Sequence, residues 1–154
     1  MAKIERSFII NVPAEKVFSY MSDSTKLSEW LPSLSAVRNI RGKGLGQRAS
    51  WTYKMMGMPF KGESECIECI LNERIVLKTM GSIKSTWDWT LKSQIKKTLV
   101  NLVLEYAIPV PLISKLGSRL ILRRNEREAD MAVDNIKERL EWKEQFKILR
   151  WEEH

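Results

Sequence analysis

Cys66 and Cys69, spaced Cys-x-x-Cys, are the residues whose type and spacing most directly invite chemistry, since paired thiols hold soft metals or cycle through a disulfide. Their surroundings, Glu65-Cys66-Ile67-Glu68-Cys69-Ile70, read as a strand, in which an offset of three residues sends the two side chains to opposite faces. A zinc site needs about four ligands, and no second pair of cysteines exists. Two independent thiols are therefore expected, with no metal and no cofactor. The single histidine is His154, so a Ser-His-Asp triad or a buried imidazole base lacks its central part. Proton transfer would fall to Glu68, Glu105, Asp88 or a tyrosine, and a carboxylate doing acid work near neutrality would have to be buried. Gly42-Lys43-Gly44-Leu45-Gly46-Gln47 is glycine-dense, yet its spacing fits neither the phosphate loop nor the dinucleotide fingerprint and reads as an inter-strand turn.

The elements that must position these residues follow from periodicity. Residues 3–12 are β-branched and roughly alternating, and they stop at Pro13. A short helix follows over 13–21, with Pro in its first turn where the missing N–H is harmless. A second runs over 24–30, capped by Asp23 or Ser24 and stopped by Pro32. From Leu34 to Ala107 the period is two, with segments at 34–41, 47–56, 60–71, 74–80, 84–93 and 96–107 separated by short turns, the pattern of an antiparallel meander. After Pro109-Val110-Pro111 the pattern is helical to Glu141 or beyond. The chain of 154 residues, 44% apolar, is thus predicted to be one α+β domain.

Ile9-Ile10-Asn11-Val12-Pro13-Ala14-Glu15-Lys16-Val17-Phe18, Leu27-Ser28-Glu29-Trp30-Leu31-Pro32, Trp89-Thr90-Leu91 and the run from Lys97 to Pro109 resemble the START-like (SRPBCC, helix-grip) superfamily, which includes polyketide cyclases and coenzyme-Q-binding proteins. The resemblance spans roughly residues 3–140. It implies a seven-stranded curved antiparallel sheet, two short helices and a long C-terminal helix enclosing an apolar cavity. Residues 1–141 are expected to form this ligand-binding domain and 142–154 a C-terminal helical extension. No catalytic residue can be carried over, because the enzymes of the superfamily share no triad.

Strand parity suggests which side chains would line that cavity. Trp51, Tyr53 and Met55 share one face of their strand; Ser85, Trp87 and Trp89 share a face of another; Leu102, Leu104 and Tyr106 follow on the last. Phe60, Cys66 and Leu77 are further candidates from the strands between. In the long helix, Leu122, Ala129, Ala132, Val133, Ile136 and Leu140 form one stripe, while Leu112, Ile113, Leu116 and Leu120 fall nearly opposite. A break near Gly117 resolves the conflict. Residues 112–121, Leu116 and Leu120 among them, are then expected to meet the methionine-rich turn 55–60 as mouth and lid. The function expected is binding or carriage of a small hydrophobic molecule such as a lipid, isoprenoid quinone or polyketide-like aromatic. The alternatives are a cyclase, dehydratase or hydrolase acting on such a ligand, and an adaptor or oligomerisation module.

Charge narrows the partners. Lys+Arg number 26 against 19 Asp+Glu, giving +7, with residues 38–54 acid-free and residues 115–128 also basic. A solvated face or an anionic membrane surface is expected to account for this, and nucleic acid is not, because no recognition helix or RNA-binding aromatic signature accompanies the charge. Trp142, Phe146 and Leu149 form a separate stripe, open to an oligomer contact, a membrane contact or a tail folded back, of which self-association as a homodimer is the preferred reading. No apolar run reaches transmembrane length and the N-terminus lacks a signal-peptide pattern, so a cytoplasmic location is expected.

Overall fold

The structure, a computed structural model, describes the backbone over residues 1–152 and side chains over residues 1–147; Leu149 and His154 lie outside the described side chains. Seven strands, β1 (Ala2–Ile10), β2 (Leu34–Arg41), β3 (Arg48–Met55), β4 (Met58–Ile70), β5 (Arg74–Gly81), β6 (Ser85–Gln94) and β7 (Lys97–Tyr106), form one antiparallel sheet in the order β1-β7-β6-β5-β4-β3-β2. β2 to β7 are the predicted meander, and β1 closes on β7 with Ala2 opposite Tyr106 and Ile10 opposite Thr98. Between β3 and β4 the turn has two residues, Met56 and Gly57, both at positive φ, the geometry whose twist matches a tight hairpin.

Helix α1 (Ala14–Met21) follows directly on Pro13, whose carbonyl accepts from Lys16 N and Val17 N. It buries Val17, Phe18 and Met21, the predicted apolar face. Asp23 caps the next turn, accepting from Thr25 N at 3.0 Å and Thr25 Oγ1 at 2.6 Å. The short α2 (Leu27–Trp30) ends where Leu31 becomes extended ahead of Pro32, since an α conformation there would clash with the ring.

Helix α3 (Val110–Leu116) and helix α4 (Ser118–Glu152) are separated at Gly117, which sits at φ +79°. The expected break therefore exists, and it falls on the residue type that tolerates that backbone. α4 is continuous across residues 141 and 142. Its buried stripe is Ile121, Ala129, Ala132, Ile136 and Leu140, with Leu122 and Val133 half-buried at its margins. These pack with the inward parity of the strands: Trp51, Met55, Ile75, Trp89, Leu91, Val100 and Leu104 are all buried. On β7 the ambiguity raised by Val103 resolves the same way, with Val100, Leu102, Leu104 and Tyr106 buried and Val103 on the other face.

Candidate functional site

Where the sheet curves away from α4 and α2, the inner side chains surround a recess of about 110 Å³. That is several times the roughly 10–15 Å³ a single water occupies, and below the roughly 300–1,000 Å³ of pockets for drug-sized molecules. Of the fourteen side chains expected from strand parity and the helical stripe, Trp51, Tyr53 and Met55 on β3, Leu77 on β5, Ser85, Trp87 and Trp89 on β6, and Leu104 and Tyr106 on β7 line it. Five do not. Phe60, Cys66 and Leu102 are buried in the packed core away from the recess wall. Leu116 is only half-buried at the end of α3, and Leu120 is 45% exposed. The helix restarts after Gly117, and the phase of α4 turns Ile121, not Leu120, onto the wall.

Several lining residues were not foreseen. Trp30 of α2 stands edge-on to Trp89 with ring centroids 5.6 Å apart, and Trp87 stacks beside Trp89 at 6.4 Å. These rings make one side of the recess aromatic, and edge-to-face pairing of this kind adds about 0.5–1.5 kcal/mol beyond burial. A tryptophan closing a four-residue helix carries no periodicity, so only its size pointed inward.

The polar wall comes from α4. Glu128 is 7% exposed, lines the recess, and accepts a hydrogen bond from Ser33 N at 2.9 Å. Arg124, one turn earlier, donates to the Tyr53 hydroxyl at 2.8 Å, to the Lys54 carbonyl at 3.1 Å and to Ser33 Oγ, and stands 3.9 Å from the Glu128 carboxylate. Burial pushes the Tyr53 hydroxyl's pKa up, and the Glu128 charge adds to the rise while Arg124 opposes it. An i, i+4 Arg–Glu pair reads in sequence as a solvated helix face; here it is turned inward. The three acids named from sequence are elsewhere: Arg74 pairs with Glu68 at 3.1 Å and with Asp88 at 2.8 Å, and Glu105 is exposed.

Polar satisfaction is uneven. Trp87 Nε1 donates to Ser85 Oγ at 3.2 Å. Trp30 Nε1, Trp51 Nε1 and the Tyr106 hydroxyl are buried with no hydrogen-bond partner among the described residues, and all three residues line the recess. Burial raises the Tyr106 pKa, and the Asn125 side chain, close to the hydroxyl but outside hydrogen-bond geometry, opposes that rise. An unpaired buried donor costs about 1–3 kcal/mol, so native proteins carry few of them.

The cysteines correct a sequence expectation. The β4–β5 register shifts between Cys66 and Glu68, a bulge that re-aims the strand, and Cys66 and Cys69 both border one small pocket beneath the Gly42–Gly46 turn. They are not on opposite faces. A Cβ on Gly44 would come within 3.9 Å of Cys69 Sγ, and Gly46 N donates to the Cys66 carbonyl. Both thiols are free, and burial pushes the Cys66 pKa up to about 11. No group of three or more potential metal ligands occurs among the described residues.

Known structures share this architecture. TTHA0849 from Thermus thermophilus superposes with a TM-score of 0.76 at 19% identity, covering 90% of this chain and 97% of its own. The Zhui aromatase/cyclase from Streptomyces sp. R1128 gives 0.73 at 15%, with 91% and 93% covered. A START superfamily protein from Mycobacterium smegmatis gives 0.67 at 15%, with 91% and 97% covered. At these identities the likeness shows the fold alone. No curated protein matches the chain by sequence. The family model described as polyketide cyclase / dehydrase and lipid transport matches residues 1–141, and with the helix-grip architecture this places the chain in that family, within the START/SRPBCC superfamily.

Proposed function

We propose that the recess binds a compact, largely apolar molecule bearing oxygen acceptors. One observation carries the reading: the three buried polar side-chain groups without partners among the described residues, Trp30 Nε1, Trp51 Nε1 and the Tyr106 hydroxyl, all belong to lining residues of a mostly apolar recess. Two of these groups can only donate, and the third can do so, which suits carbonyl or hydroxyl oxygens on the ligand. The volume suits one or two fused rings; a longer isoprenoid or a four-ring polyketide requires the walls to move. Aromatic walls supply the apolar contact and the indoles supply direction. Tryptophan-fluorescence titration with oxygenated aromatics, joined to mass spectrometry of molecules extracted from the native protein, tests the proposal. A saturable quench that weakens in Trp51→Phe and Tyr106→Phe supports it, and a protein that yields no ligand and shows no quench with any of them contradicts it.

A second reading, acid–base catalysis on such a ligand, is favoured by the inward carboxylate beside Tyr53. In a dehydration, Glu128 would take a proton α to a ligand carbonyl, the C–H electron pair would become the new C=C bond, and hydroxide would leave as water with the Tyr53 proton. Glu128 would then return its proton to the Tyr53 oxygen. Arg124, bonded to that oxygen, stabilises the charge in between. Glu128→Gln, which keeps the Ser33 contact and removes the base, should abolish turnover while leaving binding within about threefold. Binding without turnover in the unaltered protein restricts the role to carriage.

A further inference from the structure

Of the ten arginines with described side chains, six make an ion pair, Arg124 among them with Glu128 of its own helix, Arg38 bonds to the Thr52 hydroxyl, and three on α4 make no ion pair. Arg6, Arg41, Arg48, Arg74 and Arg139 each pair with a carboxylate on a neighbouring element. In particular, Glu63 and Glu65 of β4 pair with Arg41 and Arg48, two of the five cations of the acid-free run 38–54, whose other three, Arg38, Lys43 and Lys54, are exposed on a solvated face. On α4 the pattern differs. Arg119, Arg123 and Arg127 succeed one another at intervals of four residues and are all exposed. With Lys115 of α3, they make no ion pair among the described residues. No acidic residue occurs between Ile108 and Asn125.

The same segment exposes apolar side chains that packing does not use: Val110 is 71% exposed, Ile113 42% and Leu120 45%. They lie between Pro109 and Ile121 in the chain, and both of those residues line the recess. From this juxtaposition of unpaired cations and protruding apolar side chains beside the ligand site, we propose that α3 and the first turns of α4 dock on an anionic lipid bilayer. The purpose of the docking, exchange of an apolar ligand with the membrane, rests on the ligand-binding reading; the docking residues themselves do not.

A bilayer accounts for both halves of the pattern. Val110, Ile113 and Leu120 enter the boundary between headgroups and acyl chains, and the lysine and arginines meet lipid phosphates and carboxylates. A nucleic acid would use the cations and leave the apolar side chains in water. The first turn of α4 contains no acid, so its backbone N–H groups add to the positive field. Each cation near such a surface is worth roughly fivefold in affinity, and exposed charge of this kind is screened by salt.

Co-sedimentation of the full chain with vesicles tests the proposal, comparing phosphatidylcholine alone with phosphatidylcholine containing one-third phosphatidylserine. The expected result is binding at least tenfold tighter to the second. Raised salt and the double variant R119E/R123E should each reduce it by more than tenfold, and Ile113→Ser should weaken it further at constant charge. These side chains are exposed, so circular dichroism and melting should be unchanged. Equal binding to both vesicles, undiminished binding by R119E/R123E, or tighter binding to duplex DNA or an acidic protein than to vesicles would overturn the proposal. Ligand titration without vesicles separates the two readings. A normal titration with no vesicle binding removes the docking surface alone, and vesicle binding with no titration removes the ligand site alone.

Discussion

Arg124 on α4 and Tyr53 on β3 are joined twice: Nη1 donates to the phenol oxygen at 2.8 Å, and the guanidinium carbon lies 5.3 Å from the centre of the ring. Together with the bonds to Lys54 O and Ser33 Oγ, this ties the long helix to the far side of the sheet beside the recess. Arg124 also stands 3.9 Å from the buried Glu128 carboxylate.

Replacing Arg124 by alanine should therefore cost about 3–5 kcal/mol, because removing one partner of a buried pair strands the other charge. Urea unfolding measures this. The double variant R124A/E128Q should recover at least half of the loss, since the stranded charge is gone. No recovery would show that lost packing, not the buried carboxylate, dominates.

Gly62 makes room for Trp51. A Cβ at Gly62 would lie 2.0 Å from the Met80 carbonyl oxygen and 2.4 Å from Cζ2 of Trp51. Gly62→Ala is expected to destabilise the chain by about 3 kcal/mol or more, through forced separation of β4 and β5 and displacement of the indole. Truncating Trp51 relieves only the second clash, so G62A/W51A should not be more stable than G62A. A melting series of the four proteins decides the matter.

Tyr106→Phe should move stability and binding in opposite directions. Deleting an unpaired buried hydroxyl removes its desolvation penalty and should stabilise the free protein by about 1 kcal/mol. The same change removes the proposed ligand contact and should weaken binding about tenfold. Thermal melts with and without ligand measure both effects, and a loss of stability on substitution would mean the hydroxyl already has a partner in solution.

The thiols should differ in reactivity. Cys66 is 5% exposed and its pKa is raised from the ordinary 9.0 to about 11, chiefly by burial. It should resist alkylation in the native protein at pH 8, where the half-buried Cys69 reacts, and both should react in denaturant. The linkage runs one way. An acid with a raised folded pKa gives up its proton more readily when unfolded, so the Cys66 contribution to stability falls as pH rises from 9 towards 11. Cys66→Ser should flatten that decline.

Much of the fold was legible because its period is strict. Alternation placed Trp51, Tyr53, Met55, Trp87 and Trp89 on the concave face, and the two conflicting stripes forced a break that the structure puts at Gly117. What escaped the pattern was local or non-periodic. A bulge between Cys66 and Glu68 undid the parity argument for the thiols. Arg124 and Glu128 have the types and spacing of a solvated pair, and only the docking of α4 beside β3 and Ser33 turns them inward. The inward phase of α4 begins with Ile121; sequence could not tell it from Leu120 without knowing where the helix restarts.

The central claim is that the recess selects an oxygen-bearing ring system through the partnerless buried donors of its lining residues. The most direct measurement is a tryptophan-fluorescence titration of the intact chain with tetralone and with tetralin, two bicyclic molecules of the same skeleton that differ by one carbonyl. A ligand oxygen that satisfies a buried N–H or O–H should make tetralone bind at least tenfold tighter. Equal affinity for the two, or no saturable change with either, would contradict the account.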